Sequence, residues 1–176
     1  MEELIKKAQN GDTEAFTHII LSLEDDLYKI AKTRIRSDAD IDDIIQETMI
    51  ETYKSIKKLK NPQKLKMWVI KILINKCNKL YKKKYKNDIS IDEYDLDNFL
   101  IVNNQKNIDE DLNFYYLIQN LKYEERIILI LYYMQQYTTK EIEHILKIKQ
   151  GTIKTHLYRA RQKIKDTLEN QGIKFD

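Results

Sequence analysis

YTTKEIEHILKIKQGTIKTHLYRAR, residues 137–161, is the stretch that decides the fold of this chain. Ile153, Leu157, Ala160 and, just beyond it, Ile164 recur at steps of four, three and four. At about 100° per residue they form one narrow apolar stripe on a helix. Thr155, Tyr158, Gln162 and Lys165 fall on the opposite side, with Lys154 and Arg159 flanking them. Burying the stripe therefore turns these donors outward together. Arg and Lys reach guanine edges or phosphates, and Thr reaches either of these or a thymine methyl. Upstream, Ile142, Ile145 and Leu146 give a shorter helix its apolar side, Leu146–Lys149 supply a turn, and Gly151-Thr152 open the second helix. The pattern is a helix-turn-helix, which lays its second helix in the major groove. An amphipathic helix pair in a plain bundle shares the stripe, but the basic outer face and the turn spacing argue against it.

The rest of the composition agrees with a helical chain. Its 176 residues allow one large domain or two small ones. Three Gly and one Pro leave few helix breakers, so an all-α fold is expected and a sandwich or barrel is not. The single cysteine, Cys77, excludes an internal disulfide and fits a reducing compartment. No apolar run reaches the roughly 18 residues of a membrane span, and MEELIKKAQNGD lacks a signal-peptide core. The expectation is a cytoplasmic chain that is not itself a membrane protein. His18, His144, His156 and Cys77 lack ligand spacing, so no metal is expected. There is also no phosphate-binding loop, nucleophile elbow or dinucleotide turn, so neither a cofactor nor enzyme activity is expected.

The net charge of +3 conceals the more useful signal, its distribution. Residues 1–51 lean acidic. Residues 52–87 contain 13 Lys and no Asp or Glu. Residues 88–111 carry eight acidic residues against Lys106 alone, and the chain then turns basic again. A one-sign stretch this long favours a polyanionic partner; the plainer reading is a lysine-rich surface set by genome composition.

Four helices are expected in residues 1–86. EELIKKAQ is stopped by Asn10-Gly11. Asp12 or Thr13 caps a long helix reaching about Ile35. Ser37–Asp40 form a turn, and Asp40 caps a helix through DDIIQETMIETYKSIKKL, ended by Asn61-Pro62. The fourth runs from about Gln63 to Tyr85. Residues 87–110 show no sustained helical period and read as an acidic linker, either a flexible spacer or a strip that docks in a basic channel. A second domain, 111–176, follows, with helices near 111–119, 123–135, 138–146 and 150–169.

Two further surfaces stand out. On the fourth helix, Lys64, Lys71, Asn75, Asn78 and Lys82 share one face, with Lys79 and Lys86 beside it, and Leu65, Val69, Ile70, Ile72, Leu73 and Ile74 occupy other faces. Asn within a Lys stripe suits base contacts combined with phosphate contacts. Trp68 flanks the stripe, where it either stacks on a base or belongs to the core. The loop KKLKNPQK, residues 57–64, heads the stripe and could cradle a single strand or a flipped base. On the third helix, Asp43, Glu47 and Glu51 are spaced i, i+4, i+8, with Asp42 and Gln46 adjacent. Acids at a helix start complement its dipole, which leaves Glu47 and Glu51 unexplained. An acidic ridge beside a basic face suits a protein partner.

These segments resemble the extracytoplasmic-function (ECF) sigma factors, the minimal specificity subunits of bacterial RNA polymerase. DADIDDIIQETMIETYKSIKKL resembles their DAEDLVQE-type helix. LKMWVIKILINKCNKLYKKK resembles their W-L-x-x-I-A-x-N segment, with Trp68 and Asn75 in register. LKYEERIILILYYMQQYTTKEIEHILKIKQGTIKTHLYRARQKIKDTL resembles their C-terminal domain nearly end to end. The resemblance implies an all-α chain of two small helical domains joined by the acidic linker. The first would bind core RNA polymerase and open the −10 promoter element; the second would read the −35 element. Asp43, Gln46 and Glu47 match the polymerase-binding positions. Asn61 to Lys64 match the loop that holds an unpaired −10 base, and Asn75 matches a −10 contact; Trp68 and Lys71 complete that expected surface. Lys154, Thr155, Tyr158 and Arg159 match the −35 contacts. The implied partners are core RNA polymerase, promoter DNA and an anti-sigma factor, which in this family is often membrane-bound. Met49, the loop KNPQK, Ile72-Leu73-Ile74 and Lys149-Gln150 depart from the family pattern and leave the promoter sequence open. The competing function is a stand-alone helix-turn-helix regulator.

Overall fold

The computed structural model describes residues 1–84, 117–118, 120–170 and 172. They fall into two compact units, one within Met1–Lys86 and the other within Asn87–Asp176. Every regular element among the described residues is helical. The linker expected over 87–110, and most of the helix expected over 111–119, lie outside the described residues.

The first unit holds five helices where the sequence suggested four: α1 (Glu2–Gln9), α2 (Thr13–Leu21), α3 (Glu24–Lys32), α4 (Asp38–Ser55) and α5 (Leu65–Lys84). The difference is the long helix expected to reach Ile35, which breaks at Ser22-Leu23. The Ser22 hydroxyl donates to the Ile19 carbonyl at 2.7 Å, and the Leu23 amide donates to Ile20 in a tight turn. Leu23 is thereby drawn into the core. Glu24, Asp25 and Asp26 then occupy the first turn of α3, where the N-terminal end of the helix dipole favours carboxylates. The cap between α1 and α2 is as expected. Gly11 takes φ +98°, and the Asp12 carboxylate accepts from the Ala15 amide at 2.9 Å.

A second correction concerns α4. Its N-cap is Ser37, whose hydroxyl accepts from the Asp40 amide at 3.3 Å. Asp40 instead accepts from Lys84 of α5, with both oxygens at 2.8 Å. The helix also stops earlier than expected, at Ser55, and tightens into a 3-10 turn over Ile56–Lys58. Pro62–Lys64 form another 3-10 turn, so α5 begins at Leu65 rather than at Gln63. The core between α3, α4 and α5 contains Leu27, Ile30, Ile41, Ile44, Ile45, Val69, Ile70 and Leu73.

The second unit contains α6 (Tyr123–Leu129), continued by a π turn over Ile130–Met134, then α7 (Thr139–Leu146) and α8 (Gln150–Asn170). α8 lies against both α6 and α7. The core draws on Ile127 to Leu131, Ile142, Ile145 and the α8 stripe Ile153, Leu157 and Ala160; Ile164, the last stripe residue, is half-buried.

Candidate nucleic-acid interface

The α7–α8 pair is fixed at both of its ends. Thr138 and Glu141 form a reciprocal cap: the Thr138 hydroxyl accepts from the Glu141 amide at 3.3 Å, and the Glu141 carboxylate accepts from the Thr138 amide at 2.8 Å. α7 ends at Lys147 in the left-handed conformation, φ 59° and ψ 35°, which reverses the chain into α8. Gln150 ties the two helices together. Its amide donates to the Glu143 carboxylate at 2.8 Å, and its carbonyl oxygen lies 3.5 Å from the Thr139 hydroxyl. Sequence reasoning noted Gln150 only as a departure from the family pattern; its polar bridge depends on which α7 residues face it.

With the stripe of α8 buried, Lys154, Thr155, Tyr158 and Arg159 are all exposed and share one face, as their spacing requires. Tyr158 is 63% exposed. The Thr155 hydroxyl donates to the Gly151 carbonyl at 3.0 Å. Behind this face, Glu125 is almost fully buried and accepts from Lys163 at 2.8 Å and from the Lys122 amide at 3.1 Å. Arg161 donates to the Tyr133 hydroxyl at 2.7 Å. These contacts join α8 to α6 and its π turn.

In the first unit six of the seven lysines of α5 separate into two sets, and the seventh, Lys83, is exposed and belongs to neither. Lys66 pairs with Asp26 at 2.7 Å, Lys76 with Glu47 at 3.2 Å and Lys84 with Asp40 at 2.8 Å. These three lie toward α3 and α4. Lys71, Asn75, Asn78, Lys79 and Lys82 occupy the opposite side of the helix, with Asn75, Lys79 and Lys82 exposed and Lys71 and Asn78 half-buried. Among the described residues no carboxylate pairs with Lys71, Lys79 or Lys82. Trp68 is half-buried beside them, between the two readings its sequence position allowed. At the head of the stripe, Asn61 and Lys64 are exposed, and the Asn61 carboxamide oxygen accepts from the Gln63 amide at 3.0 Å, shaping the turn around Pro62.

On α4, Asp42, Asp43, Gln46, Glu47 and Glu51 are exposed, so the acidic ridge exists as a surface. Two neighbours were missed from the sequence. Ile50 is 54% exposed and Tyr53 43% exposed, the latter edge-on to Phe16 with ring centroids 5.0 Å apart. Ile50 and Tyr53 add exposed apolar area to the acidic ridge. The signal for Ile50 was an apolar residue on the acidic face of the helical wheel.

Residues 19–86 match the family model for sigma-70 region 2, and residues 111–164 match that for sigma-70 region 4. The chain is 30% identical over 154 residues to the ECF RNA polymerase sigma factor SigM of Bacillus subtilis, covering 84% of this chain and 91% of that one. It belongs to the ECF sigma factors. It is also 24% identical over 182 residues to SigW of Bacillus subtilis, covering 97% of each chain. Its fold is similar to the sigma factor RpoE of Bartonella quintana, in a complex with the anti-sigma factor NepR (TM-score 0.70, 19% identity, 88% of this chain and 96% of that one). It is likewise similar to CnrH in complex with the cytosolic domain of CnrY (TM-score 0.67, 18% identity, 96% and 97%).

As an ECF sigma factor, the chain falls in a family of transcription-initiation specificity subunits that is not a known enzyme family. The region 2 match disfavours the stand-alone regulator, because it gives residues 19–86 to a sigma-factor region rather than to a sensor or dimerisation domain. Among the described residues no helix is long and apolar enough to cross a membrane.

Proposed function

We propose that this sigma factor directs core RNA polymerase to two-part promoters and has no catalysis of its own. Residues 1–86 would bind core polymerase and open the −10 element, 87–110 would tether, and 111–176 would read the −35 element. Asp43, Gln46 and Glu47 carry polymerase binding on α4. Asn61, Lys64, Trp68, Lys71 and Asn75 hold the unpaired −10 strand. Lys154, Thr155, Tyr158 and Arg159 enter the major groove at −35. The carrying observation is the separation of charge on the first unit: α5 lysines pair with carboxylates on one side and meet none among the described residues on the other. A surface with both an acidic docking ridge and a basic strand-holding stripe suits a protein that sits between polymerase and DNA. Action in the cytoplasm, where the polymerase works, follows from the same reading. So does an anti-sigma factor as a third partner, since both structurally similar chains are complexed in this way: RpoE with an anti-sigma factor and CnrH with a cytosolic domain.

The test is run-off transcription on fragmented genomic DNA with core polymerase, with and without this protein. Discrete transcripts only in its presence are expected, with start sites that share an asymmetric two-part upstream sequence. Glu47→Lys places a second lysine beside Lys76 and should weaken polymerase binding at least tenfold while leaving the fold intact, because an exposed ion pair contributes about 0–1 kcal/mol. Unchanged affinity for core polymerase would refute the role of the ridge.

A further inference from the structure

We infer that α1 is a positioning element for the loop Lys57–Lys64, acting chiefly through Gln9. The inference rests on the proposed role of that loop in holding an unpaired base. The loop leaves the bundle at Ile56 and re-enters it at Leu65, which are 1% and 3% exposed. Between them Lys57, Lys58, Lys60, Asn61, Gln63 and Lys64 are exposed. Four like charges on a short exposed segment repel one another, and within the loop only two short 3-10 turns, at Ile56–Lys58 and Pro62–Lys64, shape its path.

α1 supplies that constraint from outside. The Gln9 side-chain amide donates to the Ile56 carbonyl at 3.0 Å and to the Leu59 carbonyl at 2.8 Å, 47 and 50 residues away in sequence. A primary amide has two N–H donors, and each meets one carbonyl. Both carbonyls lie where α4 has run out, the part of a helix that leaves its acceptors without intrahelical partners. The Leu59 amide closes the same turn onto Ile56 at 3.0 Å. On the returning limb, the Gln63 side chain donates to the Glu2 carboxylate at 3.3 Å. The first and last turns of α1 thus hold the two limbs of one loop, and the exposed lysines and Asn61 project between these anchors. A loop ordered before it meets its ligand avoids the entropy cost of ordering at that moment, so capture of the base is tighter. Gln9 itself acts only on the loop backbone.

The experiment uses the full chain bound to core polymerase. A fluorescent single-stranded oligonucleotide carrying the non-template −10 sequence mapped by run-off is titrated with holoenzyme made from the parent chain, Gln9→Met and Gln9→Lys. Met is similar in length but lacks the donors; the Lys ammonium can donate to both carbonyls. Gln9→Met is expected to bind the oligonucleotide about tenfold more weakly, with unchanged affinity for core polymerase and for duplex −35 DNA. Gln9→Lys is expected to restore binding. A merely structural role would instead weaken all three activities together, and that result would overturn the inference. So would Gln9→Met binding as tightly as the parent, or Gln9→Lys binding as weakly as Gln9→Met. If Gln9→Met fails to fold, Glu2→Ala, at an exposed site, is expected to give a loss of two- to threefold in the same titration, and no loss would overturn the inference. Failure of the parent holoenzyme to bind the oligonucleotide would refute the assignment of the loop itself, a separate outcome.

Discussion

Leu157→Ala should strip the second unit of a large share of its stability while leaving the first standing. Leu157 is 3% exposed, in the middle of the α8 stripe between Ile153 and Ala160, where α8 meets both α6 and α7. Truncating a leucine at such a site removes its transfer free energy and leaves a cavity, at a cost of about 2–5 kcal/mol. A helical unit of roughly 60 residues, at about 0.05–0.15 kcal/mol per residue, has about 3–9 kcal/mol in total. The substitution therefore removes a large share of the stability of the second unit, and at the upper end all of it. The first unit has its own core, centred on Ile41, Ile45, Val69, Ile70 and Leu73, and should be unaffected.

The sequence provides a probe for each case. The only tryptophan, Trp68, lies on α5 in the first unit, so its fluorescence reports that unit alone, while far-ultraviolet circular dichroism reports both. In a urea titration, Leu157→Ala is expected to lower the dichroism midpoint for part of the amplitude, or remove that amplitude before denaturant is added. The Trp68 midpoint should stay at the parent value. Binding to −35 DNA should weaken while affinity for core polymerase is kept. If the Trp68 transition shifts together with the dichroism, the two units unfold as one. If neither shifts, the α8 stripe does not hold the second unit together.

Three other outcomes follow from single features. Lys147 sits at φ 59°, where an L-residue costs about 1–2 kcal/mol and glycine costs about 0.5–1 kcal/mol in lost chain entropy. Lys147→Gly should therefore stabilise the second unit by about 0.5–1 kcal/mol, raising its calorimetric midpoint by a few degrees; a lower midpoint would show that the Lys147 side chain has a structural role. Arg159→Ala should weaken binding to promoter duplexes by about 1–3 kcal/mol if Arg159 touches a base, and the loss should vanish on a duplex with a scrambled −35 element; an equal loss on both duplexes would make Arg159 a phosphate contact. Burial pushes the Cys77 thiol from 9.0 up to about 12, an effect that Arg34 and a backbone hydrogen bond only partly offset. Its stabilising contribution is complete below about pH 9 and is lost as pH rises toward 12, because the unfolded chain ionises first. Iodoacetamide at pH 8 should label the native chain far more slowly than the urea-unfolded chain, and equal rates would place Cys77 at the surface.

The parts legible in the sequence are those where periodicity alone decides which way a side chain points. The α8 stripe, the exposed set Lys154, Thr155, Tyr158 and Arg159, and the α5 stripe through Lys71 and Asn75 are all of this kind, because burying one side of a helix fixes the other. The break at Ser22-Leu23 was not legible. The run from Thr13 to Ile35 keeps apolar residues at helical spacing, and the break depends on Leu23 finding a place in a core built largely by later helices. Asp40 was misread for a related reason: Ser37 and Asp40 are both good capping residues, and the choice turns on Lys84, more than 40 residues downstream, which takes the Asp40 carboxylate. Gln9 and Gln150 were invisible as functional candidates because a glutamine has no periodic signature. Their roles appear only when the carbonyls of Ile56 and Leu59, or the carboxylate of Glu143, come within reach.

The same logic explains how so many lysines give a directed surface rather than a diffuse one. A helix with lysines on every side would attract a polyanion without orienting it. On α5 the carboxylates of Asp26, Asp40 and Glu47 take the lysines that face α3 and α4. The basic face left over is aligned with Asn75 and headed by the loop at Asn61. Reversing one such pair therefore has two effects. Asp26→Asn leaves Lys66, 41% exposed at its side chain, without its carboxylate and adds one positive charge to a side of the helix away from the stripe. Nonspecific binding of the holoenzyme to DNA should rise and its discrimination for a −10 element should fall, with a modest loss of stability because Asp26 is only half-buried. Measured by the salt dependence of binding, the slope should steepen for random duplex and stay constant for the mapped promoter. If both slopes change alike, the paired lysines already belong to the DNA-facing surface, and the division of α5 into two faces is wrong.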